Sequence, residues 1–173
     1  KNKKNVDLVT SVAHVYLDAG KLTEAQEYLA MAKKADNKDP KVSVLEGDIA
    51  LAQKNIGQAC QLYEQAIYFD PNCKEAYLKY AQAYKSASPA LAIEKLEQLK
   101  TVDPNCLEAD RELAEVYYSS NRFGKAAEMY AKFIDTPLAT EDDMLKYAFA
   151  LFLNHDFEKS LQLSLIHISE PTR

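Results

Sequence analysis

The stretches YFDPNCKEAYLKYAQAY (Tyr68–Tyr84) and TVDPNCLEADRELAEVY (Thr101–Tyr117) read alike: D-P-N-C, then a helix-forming run that ends on an aromatic residue. Extended in both directions, the alignment places a small residue at the opening of each unit's second half. These residues are Ala25, Ala59, Ala92, Ala126 and Ser160, at intervals of 34, 33, 34 and 34. A period of that length, held through five units, marks an array in which one supersecondary element is repeated.

Each unit reads as a pair of helices. In the first helix, apolar or small residues fall at i, i+3, i+4 and i+7: Val9, Val12, Ala13, Tyr16; Tyr77, Tyr80, Ala81, Tyr84; Met144, Tyr147, Ala148, Leu151. That spacing draws one apolar stripe down a helix. In the second helix a large residue follows the small one by four: Ala25 and Leu29, Ala59 and Tyr63, Ala92 and Leu96, Ala126 and Tyr130. Alanine lets two backbones approach, and the large side chain fills the space toward the next pair.

Punctuation agrees. Asp39-Pro40 and Ser88-Pro89 pair a capping residue with proline, a helix-start signal. Pro71 and Pro104 sit in D-P-N turns between units, and Thr140 followed by Asp143 opens the last unit. The pattern predicts helices over 5–19 and 22–35, 41–53 and 56–69, 74–86 and 89–101, 107–120 and 123–135, 141–153, and a start at 157. The units run 6–39, 40–73, 74–106, 107–140 and 141–162, the last cut short.

Composition narrows the function. Of 173 residues 47% are hydrophobic and 27% charged, and the formal net charge is -5. With no run of five basic residues, a nucleic-acid partner is not expected, since phosphate neutralisation needs clustered Lys and Arg. No stretch reaches the roughly 18 apolar residues of a membrane span. Cys60, Cys73 and Cys106 are three in number with no C-x-x-C spacing, and read as free structural thiols. Four glycines, no P-loop, no zinc spacing and no nucleophile elbow leave no cofactor, metal or catalytic constellation to assign.

Taken together the units resemble the tetratricopeptide repeat (TPR), whose pattern W-x-x-L-G-x-x-Y, A-x-x-x-F and P has the same period. The fourth unit supplies Asp110, Leu113, Ala114, Tyr117, Ala126 and Tyr130, and the third Tyr77, Tyr80, Ala81, Tyr84, Ala92, Leu96 and Pro104. The second supplies Gly47 and Pro71, and the likeness covers nearly all of Val6–Gln162. There are departures. Tryptophan is absent, and Glu46 stands where a core leucine is expected, so the second unit is expected to be rotated or locally loose. About three extra residues before Pro40 are expected to open the stack there.

The resemblance implies an all-α, right-handed α-solenoid acting as one cooperative stack. It implies a non-catalytic scaffold that binds a protein or peptide in a groove lined by the first helices. Carried over unit by unit, that groove is Asp7, Thr10, His14 and Leu17; Lys41, Val44, Asp48 and Leu51; Glu75, Leu78, Gln82 and Lys85; Glu108, Arg111, Glu115 and Tyr118. Some TPR co-chaperones clamp a C-terminal carboxylate with basic residues where this chain has Glu75 and Glu108. The clamp is therefore disfavoured, and an extended segment with a basic or apolar side fits better. Two alternatives stand beside it: a glycan- or solute-binding module of the cell envelope, for which Tyr118 and Phe149 are the aromatic candidates, and sensory or spacer repeats of a larger enzyme. The compartment, cytoplasmic or periplasmic, is left open.

Other singled-out residues have bland readings. His14 and His155 lack a second ligand at metal or catalytic spacing, and His155 sits in a turn. The tyrosines Tyr77, Tyr80, Tyr84 and Tyr117 are core by their spacing, with Tyr118 the most exposed. Glu141, Asp142 and Asp143 open a helix, where acidic charge offsets the dipole.

The tail LSLIHISEPTR (Leu163–Arg173) breaks the repeat. Ser164 stands where Leu29, Tyr63, Leu96 and Tyr130 stand earlier, and His167 where Ala32, Ala66, Leu99 and Phe133 do. The segment resembles the translation of a transposase mosaic-end adapter used in sequencing libraries, and residues 163–173 are expected to be non-native. With Lys1 in place of an initiator methionine, the chain reads as a fragment cut at both ends.

Overall fold

The computed structural model describes the backbone of residues 2–169 and the side chains of residues 5–164. Its helices are α1 (Asn2–Asp18), α2 (Leu22–Ala35), α3 (Pro40–Ala52), α4 (Ile56–Phe69), α5 (Lys74–Tyr84), α6 (Pro89–Val102), α7 (Leu107–Ser119), α8 (Phe123–Phe133), α9 (Glu141–Leu153) and α10 (Phe157–Ser169). There is no strand among the described residues. The fold is the all-α solenoid class of helix-turn-helix repeats, with helix bounds within three residues of those the period predicts.

Two kinds of turn alternate, and local chemistry explains both. Within a pair, the first helix ends on a left-handed residue: Gly20 (φ 72°), Lys54 (63°), Asn121 (58°) and His155 (66°). Around Gly20, the Lys21 N–H donates to the Tyr16 carbonyl and the Gly20 N–H to that of Leu17. The same two bonds recur at Asn55 and Lys54, at Arg122 and Asn121, and at Asp156 and His155. This is a Schellman cap, which satisfies carbonyls the helix end would otherwise leave open. Between pairs, Asp36, Asp70 and Asp103 each accept a backbone N–H two residues on, from Lys38, Asn72 and Asn105. Prolines 71 and 104 sit inside two of these turns, which run four residues.

Pro40 occupies a different register. It is the first residue of α3, with Asp39 accepting the Lys41 N–H as a cap. The first connection is therefore no longer than those at 70–73 and 103–106, and the expected opening of the stack before Pro40 does not occur. Matching proline to proline misplaced three residues. The long connection is instead Ile134–Thr140, which ends in a capping box between Thr140 and Asp143.

The chain forms two compact bodies, one ending at Ser88 and one beginning at Pro89. The division falls in the turn of the third unit, Lys85–Ser88, which is one residue longer than the other turns of its kind and has no left-handed residue.

In the first body, Val6, Val9, Ala13, Ala25, Leu29, Ala32, Val42, Leu45 and Ile49 form one cluster and Val44, Ala50, Ala59, Cys60, Tyr63, Ala66, Ala76 and Tyr80 the next. Helix α3 feeds both and is buried around most of its circumference. The expectation of a loose second unit is thus corrected. Glu46 points out of the core to an ion pair with Lys33, and Leu45 beside it fills the apolar position.

In the second body the opening alanines Ala92 and Ala126 are fully buried, as are Leu96 and Tyr130 four residues later. Ser160 is half-buried and donates to the Ala148 carbonyl. Ser164 is exposed and bonds back to its own helix at Ser160. His167, Glu170 and Arg173 lie outside the described side chains.

Candidate functional site

Within each body the first helices of successive units meet through paired charges, α1, α3 and α5 in the first body and α7 and α9 in the second. In the first body, Lys41 on α3 bonds to Asp7 on α1, which raises the Lys41 pKa. Asp48 on α3 is the hub. One carboxylate oxygen accepts the Tyr63 hydroxyl at 2.7 Å; the other accepts Lys79 Nζ at 2.7 Å and lies 3.5 Å from His14 Nδ1. Lys79 also reaches Glu75 at 3.8 Å. Burial, followed by the Asp48 charge, pushes the Tyr63 hydroxyl far above the usual tyrosine range, so it acts as a fixed donor.

His14 does therefore have neighbours of metal-binding type, contrary to expectation. The ligand atoms of His14, Asp48 and Glu75 all lie within 4.8 Å of one another. Short-range spacing along the chain could not show this, because the three residues come from three successive first helices, 34 and 27 residues apart. The Lys79 ammonium stands among them and supplies positive charge, so a divalent ion would have to displace it. Lys79 itself went unnoticed; its signal was the equivalent Lys146, at the same place two units on.

Two carried-over residues leave the face. Thr10 is buried, its hydroxyl bonded to the Val6 carbonyl at 2.9 Å. Val44 is buried in the second core cluster with Ala59 and Tyr63. Leu17, Leu51, Leu78 and Lys85 are half-buried, and Glu75 and Gln82 are exposed.

In the second body, Glu115 on α7 repeats the part of Asp48. It accepts the Tyr130 hydroxyl at 3.0 Å and Lys146 Nζ at 2.8 Å. The two clamps, Asp48/Tyr63/Lys79 and Glu115/Tyr130/Lys146, are offset by 67 residues at every member. Arg111 pairs at 3.0 Å with Asp143, which is buried. Burial alone would raise the Asp143 pKa, but the Thr140 hydrogen bonds and Arg111 outweigh it, and the carboxyl sits below its ordinary value. Asp143 thus does more than offset a helix dipole. Glu108 accepts from the Cys106 thiol at 3.5 Å, and Tyr118 is half-buried with its ring edge-on to Phe123.

The same helix positions continue onto α9 as Asp142, Leu145, Phe149 and Phe152. The last three are more than half exposed. Phe152 packs edge-on against Phe157, itself exposed. The carry-over stopped at the fourth unit, yet the period alone would have added this stripe. The tyrosines Tyr77, Tyr80 and Tyr117 are buried and Tyr84 half-buried, as their spacing predicts. Tyr68, on the outer helix α4, is 83% exposed and was not foreseen.

Helix pairs that recur every 33 or 34 residues, four of the five closed by the same left-handed cap, define a helical-repeat protein. The sequence profile of the tetratricopeptide repeat matches residues 13–72 and 79–139, and the chain belongs to that family. No curated protein matches the chain. Among solved structures, that of Pseudomonas aeruginosa pilF superposes with a TM-score of 0.83 at 15% identity, covering 99% of this chain and 79% of that one. MamA (41-end) from Desulfovibrio magneticus RS-1 gives 0.74 at 18% identity, covering 95% and 93%. YrrB, described as a TPR protein with an unusual peptide-binding site, gives 0.66 at 14% identity, covering 94% and 88%. At these identities the likeness is one of fold. TPR proteins in general are non-catalytic scaffolds for protein partners, and no described helix is long and apolar enough to cross a membrane.

Proposed function

We propose that this chain is a non-catalytic scaffold that holds an extended protein segment against its first helices, with α9 of the second body supplying the principal contact. The observation that carries the reading is the stripe Leu145, Phe149 and Phe152 on α9, each more than half exposed, with Phe149 at a position where the earlier units carry His14, Asp48, Gln82 and Glu115. Exposed apolar side chains in register on a binding face fit a ligand's apolar side chains. Most of the charges on this face are already paired within the protein, so they orient a ligand more than they attract it. YrrB's described peptide-binding site is support by analogy of fold only.

The aromatic pair Phe149 and Phe152 also gives the glycan-binding reading its best residues. One experiment separates the two. Twelve-residue peptides selected by display against the chain are titrated by fluorescence anisotropy, with a panel of oligosaccharides alongside. The peptide reading expects apolar-rich peptides that lose at least tenfold in affinity with Phe149→Ala/Phe152→Ala and nothing with Tyr68→Ala. Peptides indifferent to the pair would refute it, and pair-dependent binding of oligosaccharides alone would establish the second reading.

A further inference from the structure

We infer that His14, Asp48 and Glu75 form a zinc site that clips α1, α3 and α5 together, and that the Lys79 ammonium is a resident cation which zinc displaces. One ligand atom from each of the three lies within 4.8 Å of the other two. Some point therefore lies no more than about 2.8 Å from all three, and zinc bonds of about 2.0–2.2 Å ask each atom to close by under about 1 Å. The set joins one imidazole to two carboxylates. Zinc accepts that mixture, whereas magnesium and calcium take oxygen ligands. It is the one group of its kind among the described residues.

The three side chains are organised as a site. Asp48 is 9% exposed, and the Tyr63 hydroxyl holds one of its oxygens at 2.7 Å. An outer hydrogen bond of that kind orients a metal-ligating carboxylate. The other oxygen lies 3.5 Å from His14 Nδ1. His14 is half-buried and Glu75 exposed, so an ion can enter from solvent. Lys79 marks the place as one that holds a cation, with Asp48 at 2.7 Å and Glu75 at 3.8 Å from its Nζ. Two carboxylates facing one ammonium leave a negative charge over, which a divalent ion balances. The ammonium ends a flexible four-carbon stem and is half-buried, so it can swing out to water when the ion arrives.

The second body supplies an internal comparison. There Lys146 lies 2.8 Å from Glu115 and 2.6 Å from Asp142, again a lysine between two carboxylates. The imidazole is the difference. His14 stands 34 residues ahead of Asp48, whereas Gln82 stands 33 ahead of Glu115. A carboxamide is not among the usual zinc ligands. His14 thus turns a lysine lock into a three-ligand set, and one zinc per chain is expected.

The test uses the whole chain, stripped with EDTA and titrated with zinc chloride by isothermal titration calorimetry. One equivalent is expected to bind. Zinc at about 100 μM is expected to raise Tm by about 5 °C, because an ion that binds only the folded chain stabilises it by mass action. His14→Gln, the residue that the third unit carries at this place, is expected to weaken binding at least tenfold and to leave the metal-free Tm unchanged. Lys79→Met separates a metal site from a purely structural ion pair. It is expected to lower the metal-free Tm and yet to tighten zinc at least tenfold, since the competing ammonium is gone. No zinc-dependent rise in Tm, binding that survives His14→Gln, or binding loosened by Lys79→Met would each overturn the proposal.

Discussion

Gly47 and Tyr63 give the sharpest test of the packing. A methyl group on Gly47 would lie 2.5 Å from Cε1 and 2.8 Å from Cδ1 of the Tyr63 ring. That ring is fully buried, and its hydroxyl is tied to Asp48. It cannot swing aside without stretching the bond to a carboxylate. Overpacking costs about 1–3 kcal/mol, and a lost hydrogen bond to a charged group about 1.5–3 kcal/mol. Alanine's better helix propensity returns about 1 kcal/mol. Gly47→Ala is therefore expected to destabilise by about 2–4 kcal/mol. In a body of under about 100 residues each kcal/mol moves Tm by about 4–8 °C, so thermal unfolding followed by circular dichroism should shift by about 10 °C or more. The fourth unit suggests the remedy. There the small residue is Ala114, and Tyr130 is held by Glu115, one methylene longer than Asp48. Gly47→Ala/Asp48→Glu should recover at least half of the loss. Gly57→Ala, with nothing within 4 Å, is the control and should be neutral or stabilising by under about 1 kcal/mol. A Gly47→Ala chain as stable as the parent would refute the reasoning, and a double variant no better than the single would show that the acceptor's length does not set the height of the ring.

Three further expectations follow from the turns and the ion pairs. Lys54→Gly and His155→Gly should each stabilise by about 0.5–1 kcal/mol in urea unfolding, because a left-handed non-glycine residue costs about 1–2 kcal/mol and glycine's entropy takes back part of it. Arg111→Ala should cost about 1–3 kcal/mol by leaving buried Asp143 without its cation. The Asp143 pKa is depressed in the fold, so its contribution is complete above the unfolded value near about 4 and is lost as pH falls through the folded one; the gap between parent and variant should close in acid unfolding curves below about pH 4. Lys79→Met should cost about 1–2 kcal/mol and Lys79→Met/Asp48→Asn less than the sum of its single changes, a coupling that a double-mutant cycle measures directly.

The helices were legible because their signals are local: alanines every 33 or 34 residues, D-P-N between pairs, and Thr140 with Asp143 ahead of α9. The left-handed turn residues were only half legible, since Gly20 announces one and Lys54 does not. The face was harder. Thr10 and Val44 share its helix positions, yet Thr10 turns its hydroxyl onto its own backbone and Val44 packs under α4. Whether such a position opens to solvent depends on how two neighbouring helices cross, which no single period contains. Lys79 was hidden for the same reason: its partner Asp48 lies 31 residues back, on another helix.

The acid, tyrosine and lysine that lock α3 to α5 and α7 to α9 make the true modulus of this array two units rather than one. Editing its length has a parity. Excising residues 74–106 would deliver Glu112 to the place of Lys79 and set carboxylate against carboxylate at Asp48. Excising 74–140 would deliver Lys146 and leave the lock intact. A chain of this kind tolerates growth and loss in even steps.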